Sequence, residues 1–259
     1  MSTPTPMIRF DRVAKELGGR AVLDGVSFDI LPGETFVIVG PSGAGKSVTL
    51  KHMVRLLTPD SGAIYVDGTP ISSARGSELV HLREYFGYLF QGGALLAWLT
   101  VFENVALPLR ERTAMAEEEI RTRVQDTLEL VGLGQDTGKF PSEISGGMRK
   151  RAGLARAIIR DPKIVLYDEP TSGLDPVTSR TIDALIQRLR QEKTVTSVVV
   201  THDLHSALSI GTRIAMLHSG HIVELSTPEE FIRSGQPDVQ AFLEAQFVTR
   251  AGKWERKEP

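Results

Sequence analysis

The sequence predicts an α/β protein: a mainly parallel sheet flanked by helices, a smaller antiparallel β piece near the N-terminus, and an inserted helical subdomain. Three observations predict it. Short β-rich runs alternate with stretches of helical period, the pattern of βαβ units. Four of the runs, Phe36–Val39, Ile164–Tyr167, Ser197–Val200 and Ile214–Leu217, are continuously apolar or nearly so, as expected of strands covered on both faces. Between Gln91 and about Arg160 the strand signal stops.

Taken in order, Met7–Phe10 and Val26–Ile30 read as strands of the antiparallel piece. Phe36–Val39 opens the parallel core. Glu117–Glu119 starts a helix whose apolar positions Ile120, Val124, Leu128 and Val131 share one face, and Gly132 and Gly134 end it. Gly146 and Gly147 precede another. Ile182, Leu185, Ile186 and Leu189 repeat the helical spacing before the strand Ser197–Val200. From Pro228 the chain is short-helical and polar. Val239, Phe242, Leu243 and Phe247 lie roughly on one helical face, ahead of a basic end at Arg250, Lys253, Arg256 and Lys257. The expected domains are 7–235, with a core of about 7–91 and 160–235 around a helical insert of about 92–159, and a tail of 236–259.

Composition narrows the function. The 30 Lys and Arg against 32 Asp and Glu leave a net charge of −2, so nucleic acid is not an expected partner. The chain has no cysteine, which excludes disulfides, thiolate metal sites and cysteine nucleophiles. No signal peptide is visible, and the uncharged stretch Tyr85–Phe102 is broken by Gly87, Gln91, Gly92, Gly93 and Thr100, unlike a membrane span. A soluble protein is expected.

The chemistry concentrates at Gly40-Pro41-Ser42-Gly43-Ala44-Gly45-Lys46-Ser47, the pattern G-x-x-x-x-G-K-[ST]. Glycines let backbone N–H groups curl around phosphate oxygens, and the N-terminus of the following helix adds its positive end. Lys46 would reach the β- and γ-phosphates and the Ser47 hydroxyl would ligate Mg²⁺. The pattern arises by chance in roughly one chain per hundred of this length. Here it also follows a strand and opens a helical run through Val48, Leu50, Met53 and Val54.

Asp168 and Glu169 end the buried run Ile164–Tyr167. Alternation along the strand end should send the two carboxylates in different directions. Asp168 would hold Mg²⁺ through its water shell, and Glu169 would polarise an attacking water. Alone, the pair reads equally well as an acidic turn before Pro170; behind a P-loop the hydrolytic reading takes precedence. His202 follows the strand Ser197–Val200 at the end where such sheets present ligand-facing groups, which favours a γ-phosphate contact. Gln91 closes the strand Gly87–Phe90, placed to sense Mg²⁺ and the lytic water.

These motifs, in this order, resemble the ABC ATPase family from about Met7 to Glu230. The P-loop is followed by Gln91 as the Q-loop glutamine, Ser145-Gly146-Gly147-Met148-Arg149 as the signature, Asp168-Glu169 as Walker B, Ser172-Gly173-Leu174-Asp175 as the D-loop and His202 as the switch histidine. The resemblance implies a P-loop NTPase (RecA-like) core with ATP and Mg²⁺ as ligands, and an ATPase that works as a head-to-tail pair. Two copies would sandwich ATP between the P-loop of one and Ser145, Gly146, Gly147 and Met148 of the other. Leu17 stands where the family usually offers an aromatic ring to adenine. Leu17 and Val22 would give apolar contact instead of stacking, and base specificity is expected to be loose.

Phe90–Leu96, Leu99–Glu111 and Ser145–Arg151 look like the Mla/Mce phospholipid transport ATPases. That branch implies a peripheral protein on the cytoplasmic face of the bacterial inner membrane. Its implied partners are an integral-membrane permease, an Mce-domain lipid-binding protein and a small regulatory subunit. The rival readings are an importer of amino acids or other small solutes, and a non-transport ABC ATPase such as an iron–sulfur assembly factor. Ala94, Leu95, Leu96, Trp98 and Leu99 are too apolar for a fully exposed loop; some are expected in the core and the rest against a permease. The terminal helix is expected to pack on its own domain rather than clasp a second copy.

Overall fold

The computed structural model describes residues 5–246 and divides the chain into two compact units, one formed by residues up to Arg83 and from Thr196 onward, the other by Glu84–Val195. The first unit begins with strands β1 (Ile8–Leu17) and β2 (Arg20–Ile30), then β3 (Thr35–Val39), α1 (Lys46–Met53), β4 (Ser61–Val66), β5 (Thr69–Pro70) and α2 (Gly76–Glu84). The second unit holds β6 (Phe86–Leu89), α3 (Val101–Arg112), α4 (Glu117–Leu130), α5 (Gly146–Ile158), β7 (Ile164–Asp168) and α6 (Pro176–Lys193). The chain then returns to the first unit with β8 (Thr196–Val200), α7 (Leu204–Ile210), β9 (Arg213–His218), β10 (His221–Ser226), α8 (Pro228–Arg233) and α9 (Pro237–Ala245).

In the first unit, β1 lies between β2 and β4 in an antiparallel sheet, with Ile8 opposite both Ile30 and Val66. The two expected short strands are ends of a much longer hairpin. Beyond Phe10 the β1 sequence turns polar on its outer face and its register shifts, so the apolar signal fades while the pairing continues. The second sheet of this unit places β3 between β8 and β9, parallel to both, with Ile38 opposite Val200 and Ala215. Every residue of β3 and β8 is buried, which is why their sequences run apolar without alternation. Phe10, Phe28 and Phe36 stack at centroid spacings of 4.5 and 5.2 Å, making one aromatic column of the core. Arg213 lies over the Phe36 ring and forks onto Glu34 at 2.8 and 3.0 Å, so its charge is paired where it is partly buried.

In the second unit, β6 and β7 pair in parallel, Leu89 opposite Tyr167. Helix α5 packs on β6 and α3, and α3 on α4. Val105, Leu109, Val124, Leu128, Leu154 and Ile158 bury the apolar faces of these three helices. Thr100 and Glu103 form a capping box that starts α3, and Gly132, at φ 68°, ends the α4 segment with its N–H on the Glu129 carbonyl. Ile182, Ile186 and Leu189 are the buried face of α6.

At the C-terminal end of the described chain, Val239 and Leu243 of α9 are buried and α9 packs on β10, as the own-domain reading expects. Phe247 and the basic end lie outside the described residues. No helix among the described residues is long and apolar enough to cross a membrane.

Candidate nucleotide site

In the first unit, β3 runs straight into the glycine loop. Gly40 has φ 147°, and a Cβ there would lie 2.2 Å from the Leu217 carbonyl oxygen of β9; no side chain fits. Gly45, at φ 102°, is the N-cap of α1, and a Cβ on it would come within 2.9 Å of Val22. No side-chain hydrogen bond from the N-cap closes α1 and its first turn contains no acid, so the positive end of the helix favours an anion. Lys46, its first residue, is buried and donates from Nζ to the carbonyls of Gly40 at 2.8 Å and Pro41 at 3.1 Å. Ser47 follows, half-buried. Val48 is half-buried too, and its carbonyl receives His52 Nδ1 at 2.7 Å. Burial pushes the His52 imidazole below its usual range, so it sits there as the neutral ring.

A cavity of about 620 Å³ opens beside this loop. Pro41, Ser42, Gly43 and Ala44 form one wall, Leu17 and Val22 of the β1–β2 hairpin another, and His218 to Gly220 of the β9–β10 turn a third. Arg20 lines the cavity beside Leu17 and Val22. His202 follows β8, whose pairing with β3 continues through a bond from the Thr201 N–H to the Ile38 carbonyl, 3.1 Å. Its side chain is exposed. Gln246, just past α9, donates to the His202 carbonyl at 2.5 Å and accepts the Leu204 N–H at 3.0 Å. Nothing local in the sequence marks this tether.

In the second unit, Gln91 is an exposed turn residue two positions past the end of β6. The parallel partner strand ends at Asp168. Tyr88 donates its hydroxyl to Asp168 Oδ2 at 3.3 Å and stacks on Phe90, and burial followed by the carboxylate's charge pushes its phenol above the usual range. Glu169 has φ 50°. The backbone therefore turns left-handed directly after Asp168, where the strand has already ended, so the strand alternation expected to set the two carboxylates apart does not extend to Glu169.

Ser145 is the N-cap of α5, its Oγ accepting the Met148 N–H at 3.2 Å. Gly146 and Gly147 form the first turn, again without an acid, and a Cβ on Gly147 would meet Thr178 at 2.4 Å. Asp175 caps α6: one oxygen accepts the N–H groups of Val177 and Thr178, the other the Thr178 hydroxyl. These bonds hold its carboxyl below the usual range, led by the hydroxyl. Lys150, unremarked in the sequence, reaches from α5 to the turn carrying Glu169.

The loop after Gln91 departs from expectation. None of Ala94, Leu95, Leu96, Trp98 and Leu99 is buried, and Trp98 is 73% exposed. The loop is held by a polar anchor. Asn104, fully buried in α3, accepts the Leu96 N–H at 2.7 Å and donates to the carbonyls of Leu96 and Leu99 at 3.1 and 3.0 Å. Asn104→Ala strands these groups and should cost ~2–3 kcal/mol, a fall of roughly 5–10 °C in the melting midpoint. A thermal melt with an unchanged midpoint would show that the loop does not depend on Asn104.

A buried strand, a glycine loop and a helix beginning with a buried lysine make this an α/β protein of the P-loop nucleotide-hydrolase class. The ABC transporter family matches residues 23–172, over half of the chain, and the chain belongs to that family as an ATP-hydrolysing subunit. It is 44% identical over 246 residues to "Probable ribonucleotide transport ATP-binding protein mkl" of Mycobacterium leprae, covering 95% of this chain and 71% of that one. It is 44% identical over 222 residues to "Methionine import ATP-binding protein MetN" of Carboxydothermus hydrogenoformans, covering 85% and 66%. "Intermembrane phospholipid transport system ATP-binding protein MlaF" of Haemophilus influenzae is 38% identical over 240 residues, covering 93% and 91%. Among solved structures, the ATP-binding cassette MJ0796, dimeric in a post-hydrolysis state with ADP and phosphate, superposes with a TM-score of 0.80 at 35% identity, covering 86% of this chain and 99% of that one.

Proposed function

We propose that this chain is the ATP-driven motor of a membrane transporter, working as a head-to-tail pair on the cytoplasmic face of a bacterial inner membrane and coupled to an integral-membrane permease. The observation that carries it is the glycine loop Gly40–Gly45 opening onto α1, with Lys46 laid along it. Such an N-terminus is built for an anion, and a triphosphate is the anion that also repays hydrolysis machinery.

In this reading Lys46 and the loop amides grip the β- and γ-phosphates, and Leu17 and Val22 receive the base. Glu169 orients and polarises the attacking water, and His202 contacts the γ-phosphate. Ser145, Gly146, Gly147 and Met148 present the α5 N-terminus to the partner's nucleotide, and Asp175 holds the D-loop beside it. The residues fit Mg²⁺. Ser47, Gln91 and Asp168 would offer it hydroxyl, amide and carboxylate oxygens, the hard ligands such a cation takes. When bound, Mg²⁺ would neutralise phosphate charge.

On cargo, the names of the relatives divide. The two relatives at 44% are named for ribonucleotide transport and methionine import, and their higher identity favours a small-solute importer. A phospholipid cargo is the second reading, supported by the 38% relative and by Phe90–Leu96, Leu99–Glu111 and Ser145–Arg151; an Mce-domain protein and a small regulatory subunit would then be its partners. Purifying the chain with its bound permease and assaying ATP-dependent uptake of ribonucleotide or methionine against transfer of labelled phospholipid separates them. The exposed Trp98 is the proposed permease contact. Trp98→Glu should abolish co-purification of the permease and leave the isolated chain folded; full recovery of the complex would remove Trp98 from the interface.

A further inference from the structure

We infer that Lys150 is a positioning residue for hydrolysis, its ammonium pinning from outside the left-handed turn that presents Glu169. The inference rests on the ATPase reading of Glu169. A non-glycine residue at φ 50° is disfavoured by about 1–2 kcal/mol, so something must hold it there. Within the turn, the Glu169 carbonyl accepts the Ser172 N–H at 3.3 Å and the Ser172 hydroxyl at 3.2 Å. Lys150 adds what the turn cannot supply. Its Nζ donates to the Glu169 carbonyl at 3.0 Å, the Ser172 carbonyl at 2.5 Å and the Ser172 hydroxyl at 3.3 Å. Three donors meet three acceptors, all on the one turn.

The cost of the arrangement argues for a purpose. Lys150 is only 5% exposed, and burying an ammonium is expensive unless its hydrogen bonds are satisfied. Burial pushes it down to about 8, with the Glu169 carboxylate opposing, so at pH 7 it keeps all three protons. It also stands on α5, five residues after the cap Ser145. The side chain therefore ties the backbone of the proposed base to the helix that bears the signature.

The test measures steady-state turnover of Mg-ATP, equilibrium binding of a fluorescent ATP analogue and thermal unfolding, on the full chain. Lys150→Met keeps the length and apolar stem but removes the donors; it should lower kcat ~10–100-fold while ATP affinity stays within about twofold. Lys150→Gln, with two N–H donors, should fall between. In a Glu169→Gln background, Lys150→Met should change the residual rate less than about twofold, because it acts through Glu169. Wild-type kcat in Lys150→Met, or an equal loss in both backgrounds, would overturn the inference. If Lys150→Met fails to fold, Ser172→Ala decides: a loss of ~3–10-fold in kcat supports the clamp and an unchanged kcat defeats it. A wild-type chain without any turnover would instead sink the ATPase reading, and this inference with it.

Discussion

Lys46→Ala is expected to lose ATP binding, with the dissociation constant rising by about 10²–10⁴. The side chain begins α1 and is buried against the loop it follows, its ammonium on the carbonyls of Gly40 and Pro41. Those carbonyls hold the ammonium above the loop, where a phosphate chain lying along it would meet the charge. Charge-assisted hydrogen bonds contribute about 1.5–3 kcal/mol each, so losing two gives ~3–6 kcal/mol, which sets the stated range. The loop amides and the helix end remain, which is why the variant weakens binding without erasing anion affinity. Arginine should not rescue it, since a planar fork in place of a compact ammonium does not fit between these carbonyls and the α1 backbone. Titration with a fluorescent ATP analogue reads the effect, and a thermal melt within a few degrees of the parent confirms the fold. An affinity within threefold of the parent would mean that the triphosphate is held elsewhere.

What the sequence announces here is chemistry carried by contiguous residues. The P-loop could be read because its eight residues are consecutive and carry a recognisable pattern, whereas the close approaches that demand its glycines, Gly40 to Leu217 of β9 and Gly45 to Val22 of β2, come from distant chain and were not themselves visible. Continuous apolar runs marked β3, β7, β8 and β9 because both faces of each are covered. Partnerships across long separations left no mark. Lys150 looked like one more basic residue in Arg149-Lys150-Arg151, and Gln246 like a polar residue near the end. Their meaning comes from carbonyls 19 and 44 residues away. Asn104 hid in the same way: an amide in an apolar helix gives no hint that it holds the loop eight residues before it.

The misjudged details share a physical cause. The sequence reading extended strand alternation to Glu169, one residue beyond the strand, where the backbone has turned left-handed. It placed some of Ala94, Leu95, Leu96, Trp98 and Leu99 in the core from apolar character alone, whereas Leu95, Leu96 and Leu99 are only half-buried and a buried asparagine orders the loop. Periodicity reports which face is covered; it is silent on what ties a loop down.

Glu169→Gln isolates the chemical step from everything else in the site. The amide has nearly the shape of the carboxylate, and the bonds that shape its turn run through the Glu169 carbonyl, which the substitution leaves in place. The fold, the left-handed turn and the P-loop should therefore persist, and ATP affinity should stay within about threefold. What disappears is the negative charge that draws a proton from water as it attacks the γ-phosphate. General-base assistance contributes typically 10²–10⁴-fold, so kcat should fall by about that factor. Binding without turnover has a visible consequence in the proposed head-to-tail pair. ATP stays between the two copies and they remain together, so light scattering with Mg-ATP should report a dimer for Glu169→Gln where the parent chain returns to monomer as ATP is spent. Turnover at the parent rate would place the base on another residue. Slow turnover with no dimer would keep Glu169 as the base and remove the sandwich.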